Sequence, residues 1–162
     1  MQAGIGFDSH PWSEERRLIL GGVIIPGVPG LHGHSDADVL THAVIDALLG
    51  AAGLGDIGDH FSDSDKRFKG ISSLKLLVHT KMLLQKKGFE LVHVDCTVLA
   101  DRPRLGPYKA RIRVRLSKAL GVPIDALNLK AKSTQGLGSF GAQAGMVAWA
   151  MATVARRVKA RK

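Results

Sequence analysis

Hydrophobic and polar positions change period several times along this chain, and each change marks an element. Positions 2–10 alternate: Ala3, Ile5 and Phe7 share one face, while Gly4, Gly6, Asp8 and His10 share the other. That is a strand whose second face stays bare until it ends in an Asp-x-His pair. Residues 18–20 and 23–25 flank Gly21-Gly22, a two-residue hairpin signal. Pro26, Pro29, Gly27, Gly30 and Gly33 then predict a loop delivering His34 and Ser35 to a helix. In that helix Val39, Leu40, Ala43, Val44, Ala47, Leu48 and Ala51 recur at the helical period. Ser35, with Asp38 three residues on, predicts a capping-box-like start, and Gly53 and Gly55 supply the stop.

Residues 55–63 are too polar and glycine-rich for core and predict a loop. Ser72 and Ser73 cap a second predicted helix through Leu74, Leu77, Lys81 and Leu84, ending at Gly88. A long strand follows over 89–100, with Val92, Val94, Cys96 and Val98 facing one way. From Pro107, the spacing of Tyr108, Ile112, Leu116 and Leu120 predicts a third helix stopping at Gly121. Residues 111–116 also alternate, so a strand competes there. A short strand over 127–132 precedes a glycine-rich stretch, and 142–158 predict a last helix with a basic end.

At 162 residues the chain predicts one domain with a full hydrophobic core. A single cysteine, Cys96, excludes an internal disulfide framework and fits a reducing compartment. The N-terminus runs directly into a strand-like segment rather than a signal peptide, and the longest apolar run is too short to span a membrane. The expectation is a cytoplasmic protein without a membrane partner. A net charge of +9 favours anionic partners, phosphorylated small molecules or nucleic acid. Neither a nucleic-acid-binding motif nor an aromatic platform accompanies that charge, which disfavours nucleic acid.

Asp8 and His10, two apart on a strand, point the same way, as two ligands of one ion require. Asp38, His42 and Asp46 lie four apart along one helix stripe. That stripe suits a ligand, His42, whose tautomer is set by flanking carboxylates, Asp38 and Asp46. Asp8, His10 and His42 are thus a candidate three-ligand site; two imidazoles and a carboxylate suit zinc and leave a position open for chemistry. The alternatives are a half-buried histidine satisfied by an aspartate, and a strand end of solvated polar side chains. His34 and Ser35 stand at a predicted helix start, where N–H groups and the dipole suit a phosphate.

The segments GFDSH at 6–10, HSDADV at 34–39 and HAVIDALLGAAGLGDIGDHF at 42–61 carry a resemblance that extends over essentially the whole chain. The chain resembles the 2-C-methyl-D-erythritol 2,4-cyclodiphosphate synthase family, lyases of non-mevalonate isoprenoid biosynthesis. The resemblance implies an α/β (α+β) domain over 1–162, with a small mixed sheet and helices packed on one face. It implies a homotrimer with active sites between subunits. The implied reaction takes 4-diphosphocytidyl-2-C-methyl-D-erythritol 2-phosphate to the cyclic diphosphate with release of CMP. By the family pattern Asp8, His10 and His42 hold one zinc per subunit, and His34 and Ser133 stabilise the transition state. Ser35, Asp56, Ile57, Gly58, Phe61 and Asp63 match the pocket for the erythritol and its phosphate. Ala100, Arg104, Leu105 and Gly106, with Lys132, Ser133, Thr134 and Gln135, match the cytidine diphosphate site of a neighbouring subunit.

The departures from that pattern cluster in the C-terminal half. Gln135 stands where the family has a glutamate for a second ion, magnesium or manganese. An amide offers a neutral oxygen and no charge, so that ion is expected to be weakly held. Arg104 replaces a lysine, and residues 138–145 read GSFGAQAG where the family reads GFxGRGEG. These changes leave open a weakened relative that binds cytidine nucleotide or an isoprenoid diphosphate with little turnover.

Overall fold

A computed structural model of the chain describes residues 1–136 and 144–157. Its first strand, β1 (Gln2–Leu20), is longer than the alternation over 2–10 predicts and runs through to the hairpin. Gly21 and Gly22, at φ 55° and 69°, turn the chain into β2 (Val23–Leu31), as the two-glycine signal predicts. Residues 26–31, expected as loop, continue that strand. β2 is an edge strand, and an edge tolerates Pro26 and Pro29 because one side of its backbone has no partner to satisfy. The described strands form one sheet in the order β2-β1-β5-β3-β4, where β3 is Phe89–Leu99, β4 Leu127–Lys132 and β5 Gly145–Arg156. β3 and β4 are parallel and the other neighbours antiparallel, so the sheet is mixed, as expected.

α1 (Val39–Ala52) lies directly on β1 and β5. Its approach explains the bare face of β1: a Cβ on Gly4 would come within 2.3 Å of Ala47 O, and one on Gly6 within 2.0 Å of Ala43 O. Glycine on the strand and alanine on the helix let the two backbones nearly touch. α1 is buried almost all round rather than on one stripe; of its residues only Asp46 and Gly50 escape full burial. α3 (Ser73–Lys86) packs against α1, and α4 (Lys109–Leu120) packs against α3. A 3-10 turn over Gly106–Tyr108 leads into α4, which settles the helix-or-strand ambiguity at 111–116 for helix.

The region 142–158, expected to be helical, is a strand over its described part, Gly145–Arg156. Its alanine-rich run reads as helix by propensity, but the central place between β1 and β3 demands hydrogen bonds on both edges. Ala148, Ala150 and Ala152 alternate inward, small enough for α1 to cross, while Met151 faces out. Within β3 a register shift between Leu91 and His93 turns Val92 outward, to 42% exposed, away from buried Val94, Cys96 and Val98. The apolar side of β1 faces away from the helices: Ile5 is 74% and Phe7 51% exposed, with Phe7 against Trp149. No helix among the described residues is long and apolar enough to cross a membrane.

Candidate active site

The site grows from the two elements packed most closely together. β1 presents Asp8 and His10 one strand period apart, and the first turn of α1 brings His42 beside them. Asp8 Oδ2 lies 2.9 Å from His10 Nε2 and 2.9 Å from His42 Nδ1, and the two ring nitrogens are 3.2 Å apart. Four tetrahedral ligands about 2.1 Å from a metal are separated by roughly 3.4 Å from one another. The three atoms therefore form a slightly contracted face of such a tetrahedron, with the fourth corner free, and the donor set fits a divalent metal ion.

Electrostatics support the same grouping. Burial opposes ionisation of Asp8, yet hydrogen bonds and charge from His10 and His42 outweigh it and hold the carboxyl well below the usual range. Burial likewise disfavours the His42 imidazolium, but the hydrogen bond and charge of Asp8 raise its pKa, with smaller help from Asp38 and Asp36.

The carboxylates expected to orient His42 do other work. Asp38 is fully buried at the N-cap of α1; its carboxylate accepts hydrogen bonds from Thr41 N (3.0 Å), Thr41 Oγ1 (2.8 Å), Gly21 N (2.9 Å) and Gly22 N (2.7 Å). A non-helical cap backbone curls this side chain back over the first turn instead of along the stripe. Asp38, not Ser35, is thus the cap, and its carboxylate occupies the helix start that the sequence offered to a phosphate. Asp46 accepts from Ile57 N at 2.8 Å and so anchors the following loop rather than His42.

Ser73 and Asp36 take the orienting role, and the sequence reading missed both in it. His42 Nε2 lies 2.8 Å from Ser73 Oγ and 3.0 Å from Ser35 Oγ. Ser73 Oγ donates to Asp36 Oδ1, and Ser73 N donates to Asp36 Oδ2 at 3.0 Å. The chain of donors runs from imidazole to hydroxyl to carboxylate, so that Nδ1, which donates to Asp8 without a metal, would present its lone pair to an ion bound there. The serine pair signalled a helix cap, and Asp36 does cap α3, but from a residue 37 positions away, which no local pattern reveals.

A cavity of about 710 Å³ opens on the triad. It gathers Asp8, His10, His34, Ser35 and His42 with Ile57, Gly58, Phe61 and Asp63, as expected from their motifs. It also takes in Lys69 and His32, which nothing in their local pattern singled out. Asp56, expected in the same pocket, is not among the lining residues; it is the N-cap of α2 (Ile57–His60), beside lining residue Ile57, in a capping box with Asp59. A second cavity of about 700 Å³ gathers Ala100, Arg104, Leu105, Gly106, Lys132 and Ser133. Within one chain the expected residues therefore fall into two separate groups, and Ser133 does not join His34. Thr134 is turned inward: Asp101 accepts its N–H at 2.7 Å and its hydroxyl at 2.6 Å, so its side chain is spent on holding the loop. Gln135 is exposed, on a left-handed backbone at φ 52°. Of the altered stretch 138–145, residues 138–143 lie outside the described part of the chain.

A mixed sheet carrying a carboxylate–bis-imidazole triad over a cleft defines a small α/β protein with a candidate metal-binding site. Comparison with known proteins narrows that class. The chain matches the YgbB family over residues 1–155 and belongs to it. It is 53% identical over 154 residues to the 2-C-methyl-D-erythritol 2,4-cyclodiphosphate synthase of Desulfosudis oleivorans, covering 95% of this chain and 92% of that one. The synthase of the same name from Clostridium botulinum is 48% identical over 157 residues, covering 97% and 100%. A solved structure of such a synthase in its CDP-bound form superposes with a TM-score of 0.86 at 37% identity, covering 94% and 99% of the two chains.

Proposed function

We propose that this protein converts 4-diphosphocytidyl-2-C-methyl-D-erythritol 2-phosphate to 2-C-methyl-D-erythritol 2,4-cyclodiphosphate and releases CMP, as a lyase of isoprenoid precursor synthesis. The observation that carries the reading is the convergence of Asp8, His10 and His42 at the mouth of a cavity lined by the HSDADV and GDIGDHF residues. The 2-phosphate oxygen bonds to the β-phosphorus, and the bond from that phosphorus to the oxygen bridging to the α-phosphorus breaks. The leaving group is CMP. Both reacting ends belong to one molecule, so catalysis consists chiefly of folding the substrate and spreading its negative charge.

Asp8, His10 and His42 would hold zinc, which supplies Lewis acidity and a template for phosphate oxygens. His34, in the same cavity, donates to the charge developing in transfer, and Lys69 adds a cation at the wall. Asp56, Gly58 and Asp63 receive the erythritol hydroxyls, and Ile57 and Phe61 its apolar edge. The cavity of Ala100, Arg104, Lys132 and Ser133 takes the cytidine diphosphate. Because the two cavities are separate in one chain, the working site pairs one subunit's triad with a neighbour's second cavity in a homotrimer. The exposed apolar face of Ile5, Phe7 and Met151 gives such a trimer a surface to bury.

Turnover with the cytidine substrate, followed by CMP release, tests the activity. His42→Ala should lose stoichiometric zinc while remaining folded, and CMP release should fall with it. Zinc retained at one per subunit in that variant would refute the ligand set.

A further inference from the structure

Arg16 sits in an irregular stretch of β1. The register against β2 jumps between Ser13 and Arg17 and again between Arg17 and Leu18. Such a bulge breaks the strict alternation and re-aims a side chain. Gly30 permits it: a Cβ there would lie 2.6 Å from the backbone carbonyl of Arg16. Of two consecutive arginines, Arg17 stays exposed while Arg16 is half-buried. The Arg16 guanidinium donates through Nη1 to Gly33 O and through Nη2 to Ser35 O. Those two carbonyls flank His34.

The two residues whose carbonyls it holds, Gly33 and Ser35, touch the Asp8–His10–His42 triad. A Cβ on Gly33 would lie 3.0 Å from His10 Cε1, so the peptide at Gly33 rests against that imidazole. Ser35 Oγ is 3.0 Å from His42 Nε2. Among the described residues, the side chain of His34 itself has only one hydrogen-bond partner, a long one, Nε2 to Asp65 O at 3.4 Å. Its ring is therefore placed by its backbone, whose carbonyl accepts from Gly70 N at 2.9 Å and whose two neighbouring carbonyls are clamped by one forked, planar cation. A lysine at 16 offers a single point donor and could not span both carbonyls.

We propose that Arg16 is a positioning residue that clamps the peptide on either side of His34 and so sets that imidazole against the triad. The inference rests on the reading of His34 as a charge-stabilising group in CMP release. It predicts a specific split. In Arg16→Lys, kcat should fall by about 10-fold or more, the scale on which small misplacements of a reacting group are felt. KM should stay within about 2-fold, because Arg16 itself lines neither cavity and ground-state binding is retained. Arg16→Ala should regain turnover when methylguanidinium is added, whereas methylammonium should not restore it. Arg17→Lys, the exposed neighbour, should behave as wild type. Rates are taken per folded protein from circular dichroism.

An independent readout does not need turnover. In zinc-loaded protein the His34 Cε1–H resonance should shift in Arg16→Lys and remain in place in Arg17→Lys. An unmoved His34 resonance overturns the clamp, as does a kcat equal to wild type, or a loss that guanidinium leaves unrepaired. Absence of CMP release by the wild-type protein would refute the underlying reading of the reaction, while the resonance would still decide the clamp.

Discussion

At the scale of single residues, the triad shows how much a metal ligand depends on what lies behind it. His42 has one ring nitrogen for the metal face and one for Ser73, and Ser73 hands its proton to Asp36. Ser73→Ala should weaken zinc binding by about 10-fold to 100-fold, the usual cost of losing such a partner. Competition with a chelator measures it, and Asp46→Asn should leave the affinity unchanged because Asp46 serves Ile57. Gln135 makes the opposite experiment possible. The amide there contributes a dipole where a carboxylate would contribute charge. Gln135→Glu should lower the magnesium or manganese concentration for half-maximal CMP release by ~10-fold, equivalent to about 1.4 kcal/mol of charge-assisted contact. An unchanged metal dependence would mean that another group balances the charge. The period of two made Asp8 and His10 legible as a pair on one strand, whereas their grouping with His42 on another element was an expectation that the family resemblance favoured. Ser73 and Asp36 were not legible, because their contact is made between elements.

At the scale of elements, the seam between β1 and α1 carries the site. Gly6→Ala would drive a methyl into Ala43 O, and backbone cannot yield as a flexible side-chain end can. The expected loss is roughly 3 kcal/mol in urea unfolding, the upper range for overpacking. Gly106→Ala, with open space around it and no left-handed backbone, should cost little stability by comparison. On the other side of the sheet, Asp95 of β3 pairs with Lys130 of β4 at 2.5 Å. Burial alone would raise the Asp95 pKa, but Lys130 and Asn128 bring it below the ordinary value. A carboxylate depressed in the folded state stabilises above its unfolded value of about 3.9 and loses that contribution as pH falls through the lower folded value. Asp95→Asn should therefore flatten the acid side of the stability curve as pH falls below about 4. For a partly exposed pair the effect stays below about 1 kcal/mol. Urea melts across that range measure it.

At the scale of the whole molecule, one chain holds two half-sites that do not meet. Asp56→Ala removes the N-cap of α2, next to the triad cavity's Ile57, and Ser133→Ala removes a residue of the other cavity. Each variant alone should be inactive or nearly so. Mixed and exchanged, they should recover part of the CMP-releasing rate, since some hybrid sites draw both wild-type halves. No recovery after verified subunit exchange would place the whole site within one chain. The proposed trimer would also cover Ile5 and Phe7, on an apolar strand face turned away from its own helices.

The sequence by itself determined the elements whose signals are local. The two-glycine turn, the helix over Val39–Ala52, the strand over Leu127–Lys132 and the direction of Asp8 and His10 follow from backbone period and turn chemistry alone. Tertiary structure decided the rest. Gly145–Arg156 became a strand because the gap between β1 and β3 needs hydrogen bonds on both edges, which outweighs the helical preference of alanine. Asp38 left the stripe of His42 because a cap residue has non-helical backbone and the hairpin turn brought two N–H groups to it. Arg16 found His34's peptide through a bulge that only the pairing with β2 creates. In each case the deciding partner comes from another element, so its influence is set by distance in space and is invisible to spacing along the chain.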